Sequence, residues 1–101
     1  MDNSTMDLFA QAVVDYYQGK PQPLYFTVSN HRHTKDIKRY FRTCDELTKL
    51  EKQIVSLAKG KVFDVGCATG YYFPCFETQP KVDKVVGIDI SPKLIEIAKE
   101  K

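Results

Sequence analysis

Apolar positions along the chain change period twice, and the changes mark its organisation. Phe9, Val13, Tyr16 and Tyr17, with Met6 ahead of them, recur at helical spacing, and the run Gly19-Lys-Pro-Gln-Pro23 cannot continue that helix. Leu24-Tyr-Phe-Thr-Val28 is rich in aromatic and branched residues, which predicts a short strand or an extended arm broken by Ser29-Asn30. From Thr34 the pattern is helical again: Ile37, Tyr40, Phe41 and Cys44 share one face, and Lys35, Lys38, Arg39 and Arg42 gather on the other. Thr43-x-x-Glu46 reads as a capping box for a longer helix with the stripe Leu47, Leu50, Ile54, Leu57 and Ala58, stopped by Gly60. The stripe predicts Leu50 and Ile54 packed on a sheet, where alanine at either would cost about 2–5 kcal/mol.

After Gly60 short apolar runs replace the helical repeat. Val62, Phe63 and Val65 form a strand with Asp64 at its end, and Gly66 and Gly70 bracket a turn of small residues that lets backbone approach a ligand. Tyr71, Tyr72 and Phe73 follow, and Pro74 suits the first turn of a crossover helix. Val85, Val86 and Ile88 make a second strand ending at Asp89, where a parallel neighbour should present a carboxylate. Ser91-Pro92 supplies an N-cap and a first-turn proline, and Leu94, Ile95 and Ala98 give the buried face of the last helix. The unit is strand, loop, helix, strand, helix, with both strands expected to be buried on their two faces.

Such a unit is half of a nucleoside-cofactor site, because a strand-end carboxylate can accept hydrogen bonds from both ribose hydroxyls. A nicotinamide or flavin site requires G-x-G-x-x-G and a pyrophosphate on the helix N-terminus. This chain has Gly66-Cys67-Ala68-Thr69-Gly70 followed by Tyr71, so two of the three glycines are out of place. Asp64, two residues before the first glycine, would repel a pyrophosphate and suits a positively charged ligand better.

At Asp64 to Gly70 the chain resembles the class I S-adenosylmethionine-dependent methyltransferases, whose first motif runs hydrophobic, hydrophobic, Asp or Glu, x, Gly, x, Gly, x, Gly. The resemblance is specific over residues 61 to 95, looser over 40 to 60, and departs from the motif at Ala68, which replaces the middle glycine. It implies S-adenosyl-L-methionine as cofactor. Gly66, Cys67, Ala68 and Gly70 would line the methionine moiety, Asp64 would sit near its amino group, Asp89 would hold the ribose and Ile90 would pack on adenine. Tyr71 is a candidate wall of the methionine end, with Tyr72 and Phe73 left as core. The fold class implied is α/β, an incomplete Rossmann-like methyltransferase fold: the first two parallel strands with flanking helices, plus a helical N-terminal extension. We divide it into residues 1–44, the extension or cap, and 45–101, the N-terminal half of the cofactor domain. Catalytic residues are not identified, because the family keeps them after later strands, and this chain alone is expected not to turn over. The competing readings are an NAD(P)- or other nucleotide-binding domain and a non-catalytic methyltransferase-like subunit.

A half sheet leaves an open strand edge, which is expected to be covered by a second copy, an exchanged segment, the missing C-terminal half or the stretch Leu24 to Val28. The 101 residues carry a net charge of +2 and 28% charged residues, with no apolar run long enough for a bilayer, so the chain reads as cytoplasmic with no membrane partner. Cys44, Cys67 and Cys75 lack metal-ligand spacing and are expected to be reduced thiols. His31 and His33 share a strand face without a third ligand, so no metal is expected. The basic residues Lys35, Lys38, Arg39 and Arg42, joined by His31-Arg32-His33, could meet a nucleic acid; a solvated face is the preferred reading because Asp36 interrupts them. The methyl acceptor is unassigned, with a small molecule favoured.

Overall fold

The computed structural model describes residues 3–101, with side chains from Asp7 onward; residues 1 and 2 of the extension and the Met6 side chain lie outside the described residues. Helix α1 spans Asn3–Tyr17, and Gly19, at φ 78°, turns the chain out of it. A hairpin follows, β1 (Tyr25–Val28) and β2 (His31–Thr34), antiparallel with Phe26 opposite His33. Ser29 and Asn30 both have positive φ, 50° and 65°, which is the twist a two-residue hairpin turn demands. The stretch Leu24 to Val28 therefore pairs with its own neighbour and does not cover the second sheet, contrary to one of the four expectations for that edge.

The helix predicted from Thr34 is a short 3-10 turn, Ile37–Phe41, and Arg42 leaves it in an extended conformation. The reason is a side-chain capture: the Arg42 guanidinium makes a paired hydrogen bond to Glu51, at 2.8 and 2.9 Å, which pulls the chain away from a helical path. Arg42 is thus half-buried in an ion pair and does not belong to a solvated basic face.

The Thr43-x-x-Glu46 box forms, with the Glu46 carboxylate accepting from the Thr43 backbone N–H at 3.0 Å, but it closes only the 3-10 turn Cys44–Glu46. A second box, Thr48 with Glu51, starts helix α2 at Lys49–Ser56. Gly60 is the first residue of the next strand, at φ 69°, and the helix has already ended at Ser56. Because Glu51 is pinned by Arg42, the face of α2 turned inward is Glu51 and Val55, one turn apart. Leu50 and Ile54 are consequently rotated outward and are 65% and 56% exposed, so the predicted packing on the sheet and its energetic cost do not hold.

Strand β3 (Gly60–Val65) pairs in parallel with β4 (Val82–Ile88), joined by the five-residue helix α3 (Phe73–Glu77). Helix α4 (Pro92–Glu100) follows, N-capped by Ser91, whose hydroxyl accepts from Leu94 N–H. Helices α1 and α4 pack together, and Ala10, Val13, Ile37, Ala68, Leu94 and Ile97 form the larger core. Phe63 and Val65 point away from it, 57% and 79% exposed, so β3 is covered on one face only.

The cysteines depart from expectation as well. Cys44 and Cys75 are joined by a disulfide, their Cα atoms 5.5 Å apart, while Cys67 remains free and buried. The Thr43 turn lays Cys44 directly over α3, and Leu47 and Val55 pack around the bond. No helix among the described residues is long and apolar enough to cross a membrane.

Candidate functional site

Strand parity gathers the two acids. Asp64 stands opposite Gly87 in the β3–β4 register, and Asp89 lies two residues beyond Gly87, so all three share a face of the sheet. Between the strand ends runs the loop 66–70, whose backbone is stitched to β4: the N–H groups of Gly66 and Cys67 both donate to the Ile88 carbonyl, at 2.6 and 3.0 Å. Ala68 N–H donates to one Asp89 carboxylate oxygen and Ser91 N–H to the other, each at 2.9 Å. A carboxylate offers about four acceptor directions, so Asp89 shapes the loop and still has lone pairs for a pair of hydroxyls.

Gly66, Ala68 and Gly70 all sit at positive φ, 72°, 51° and 73°. Ala68 is the position at which the resembling motif carries glycine, and the left-handed backbone there is the physical reason for one. An alanine in that region costs about 1–2 kcal/mol, which the hydrogen bond to Asp89 offsets in part. Around Gly66 the space is open, and a Cβ there would meet nothing within 4 Å. Gly70 is packed, with the Ala98 Cβ 3.3 Å from where its own would stand.

Asp64 is the electrostatically exposed point of this arrangement. One of its carboxylate oxygens is buried with no hydrogen-bond partner among the described residues. Burial, and then the charge of Asp89, push its carboxyl above the ordinary value. A desolvated carboxylate with an unpaired oxygen beside a second acid suits a cation or a hydrogen-bond donor. The same surroundings push the Cys67 thiol up, burial first and the two aspartates after it, so Cys67 is a packing residue at neutral pH.

The structure brings Asp64, Gly66, Cys67, Ala68, Gly70 and Asp89 together. Ile90 lies just past Asp89 and is exposed. Tyr71 is turned toward the N-terminal region, in edge contact with Tyr40, tilted against Tyr72, and with the Arg42 guanidinium 5.5 Å from its ring centre. Tyr72, expected as plain core, donates its hydroxyl to Glu51, and burial followed by Glu51 pushes its phenol up. Glu51 in turn is held well below the usual carboxylate range by Arg42 and then Tyr72. Glu51 and Tyr72 wall a groove of about 210 Å³ that also touches Asp64 and Phe63.

Gly87 went unnoticed in the sequence. A Cβ at this position would fall far inside contact distance of Phe73 Cζ and 2.8 Å from Cys67 Sγ, so only glycine lets α3 and the loop close on β4. Its signal was a glycine inside an apolar strand run, which marks close approach of another group. His31 and His33 lie on exposed β2, and no cluster of three metal-ligating side chains occurs among the described residues.

Two parallel strands, each followed by a helix and ending in an acid over a glycine loop, define the first half of a Rossmann-like α/β domain. Comparison with known proteins gives the kind of Rossmann domain. Residues 63–101 match the methyltransferase domain family. A crystal structure of a SAM-dependent methyltransferase from Bacteroides fragilis, in complex with S-adenosyl-L-homocysteine, superposes with a TM-score of 0.77 at 28% sequence identity, over 91% of this chain. This chain spans 38% of the length of that one. No curated protein sequence matches it. The chain therefore has the N-terminal part of a methyltransferase-type Rossmann-like fold, and the resemblance read from Asp64 to Gly70 extends to three dimensions.

Proposed function

We infer that these residues are the cofactor-binding portion of an S-adenosylmethionine-dependent methyltransferase, with residues 45–101 as the cofactor half-domain and 1–44 as its cap. The observation that carries this is the orphaned Asp64 oxygen beside Asp89 at the mouth of the glycine loop. Two acids on one sheet face favour a ligand with a positive charge at one end and hydroxyls at the other. They disfavour a pyrophosphate, which is why the NAD(P) reading ranks second.

In this reading Asp64 receives the ammonium of the methionine moiety, directly or through a water. Gly66, Cys67, Ala68 and Gly70 let the backbone close around that moiety, and Asp89 accepts from the ribose. Ile90 offers an apolar surface to adenine, and Tyr71 closes the side toward the cap. The cofactor, when bound, supplies an electrophilic methyl on sulfur. The residues described here bind and orient it and exclude water, and none of them is assigned as a base. A cytoplasmic setting belongs to this reading only with Cys44 and Cys75 reduced, since that compartment keeps thiols reduced.

Calorimetric titration with S-adenosylhomocysteine and, separately, NAD tests the proposal on the chain as it is. Saturable binding of the homocysteine nucleoside, weakened in Asp89→Ala, is expected. Binding of NAD in its place would reverse the assignment.

A further inference from the structure

The hairpin β1–β2 has no part in the cofactor site, and its composition is unlike the rest of the chain. Residues 20–42 carry Lys20, Arg32, Lys35, Lys38, Arg39 and Arg42 against the single acid Asp36. Arg42 is taken by Glu51, and Lys38 adds a smaller share to the lowering of the Glu46 carboxyl that the Thr43 hydrogen bonds dominate. Arg32, Lys35 and Arg39 make no ion pair among the described residues.

All eight strand residues of the hairpin are exposed, which is unusual for a segment holding Tyr25, Phe26 and Val28. An isolated two-stranded hairpin is marginal in water and is normally stabilised by covering one face. Here the hairpin is closed at its base by Lys35 N–H donating to the Leu24 carbonyl at 2.7 Å, and its faces carry planar groups in pairs. On one face Phe26 stacks on His33 with ring centres 5.2 Å apart and planes within 24°. On the other the Arg32 guanidinium lies 3.9 Å above the Tyr25 ring. The Lys35 ammonium stands 5.9 Å from Phe26 and 5.6 Å from Tyr40, so the positive charge follows the aromatic row toward the body of the domain.

We propose that the β1–β2 hairpin is a binding arm for single-stranded nucleic acid, with Phe26 and His33 on one face and Tyr25 on the other stacking on unpaired bases and Arg32 and Lys35 neutralising the phosphates beside them. Charge complementarity selects a polyanion, and exposed stacked rings between cations select one that carries flat π-faces. An acidic peptide would use the cations and leave Phe26 and Tyr25 unexplained. In a two-fold contact of this arm with itself, a second copy would bring the same positive charge to the same surface and be repelled. The assignment does not depend on the methyltransferase reading, because the arm uses none of the residues at the glycine loop.

The test is fluorescence anisotropy with labelled short single strands, in RNA and DNA arms, on the full chain without cofactor. A duplex of equal length and polyglutamate serve as competitors. Both single strands should bind, with any preference between them showing whether the sugar hydroxyl is read. If about 2 phosphates are neutralised, each adding roughly 0.7 to the slope of log affinity against log salt, raising salt from about 50 to about 150 mM should weaken binding roughly fivefold. Phe26→Ala with Tyr25→Ala should weaken binding about tenfold or more without changing the salt slope, since stacking is uncharged. Arg32→Gln with Lys35→Gln should flatten the slope. These side chains are exposed, and an unchanged circular dichroism melt shows that the variants remain folded. No binding at the lowest salt would overturn the proposal. So would polyglutamate competing as well as a single strand, an aromatic double variant that binds normally, or concentration-dependent dimerisation that the same variant abolishes. Separate titration with S-adenosylhomocysteine keeps the fate of the cofactor reading distinct.

Discussion

Replacing Gly87 by alanine tests how tightly the candidate site is built. The new Cβ would stand 2.8 Å from Cys67 Sγ and 3.0 Å from Phe73 Cε1, with Phe73 Cζ closer still. Ordinary contact is about 3.5–4.0 Å, so one methyl group must push the α3 ring and the loop thiol apart by roughly 1 Å or more. Overpacking of this kind costs about 1–3 kcal/mol. Because Cys67 lies inside the loop whose N–H groups bind the Ile88 carbonyl, part of that displacement reaches the backbone proposed to close around the cofactor. Urea unfolding of the wild type and Gly87→Ala gives the stability loss, and calorimetry with S-adenosylhomocysteine gives the loss in affinity. Phe73→Leu removes the tip of the ring and, by itself, costs about 1 kcal/mol. Placed with Gly87→Ala it should recover stability, so that the double variant is less destabilised than the sum of the singles by about 1 kcal/mol or more. A single variant within about 0.5 kcal/mol of wild type, together with an additive double, would refute the claim that glycine is needed for close approach.

Other measurements address the charges and the cross-link. Asp64→Asn should weaken S-adenosylhomocysteine binding about 10- to 100-fold, the worth of one hydrogen bond to a charged group. It should also change the pH dependence of folding: with the native carboxyl raised, the folded chain keeps a proton that the unfolded chain has released, so wild-type stability falls as pH rises from the ordinary carboxylate value through the raised one, and the Asn variant lacks this fall. A denaturation series across that window that shows no difference would count against a desolvated Asp64. Glu51→Gln should cost about 1.5–3 kcal/mol at neutral pH by stripping Arg42 and Tyr72 of their carboxylate. Glu51 has the opposite sign, its stabilisation being present above the ordinary glutamate value and lost as pH falls below it, so the variant and wild type should converge in acid. Thiol titration of the unfolded, unreduced chain should find Cys67 alone, and Cys75→Ser should cost about 3–4 kcal/mol from the loop closed over a separation of 31 residues. Finding three thiols would remove the cross-link.

The strands, loop and helix cap that build the candidate site were far more legible in the sequence than the region leading to it. Asp64, the glycine loop, Asp89 and the Ser91-Pro92 start of α4 are local signals: each is fixed by strand period, backbone sign or a cap within a few residues, and nothing distant had to be known. Residues 34–58 depend on one long-range pair. The Thr43 and Thr48 boxes both obey the capping rule, and what decided that the second starts the helix is Arg42 reaching Glu51 and Tyr72 reaching the same carboxylate. That pinning also turned Leu50 and Ile54 outward, though their spacing matches a buried stripe. The Cys44–Cys75 bond was unreadable for a similar reason: without knowing that Thr43 starts a tight turn, no spacing brings residue 44 over α3. The exposed faces of Phe63 and Val65 were missed because a parallel strand looks the same in sequence whether one or both of its faces are covered.

Asp89 accepts from Ala68 N–H and Ser91 N–H, and so the residue proposed to hold a sugar is also the one that bends the loop and starts the last helix. If the proposed role holds, ligand preference and scaffold geometry are fused in one side chain. A lineage seeking to read a phosphorylated ribose could not simply trade this acid for a base, because the turn at Ala68 would lose its tether in the same step. Glycine at position 68 would ease the left-handed bend there, but the N–H of Ser91 would still lose its acceptor.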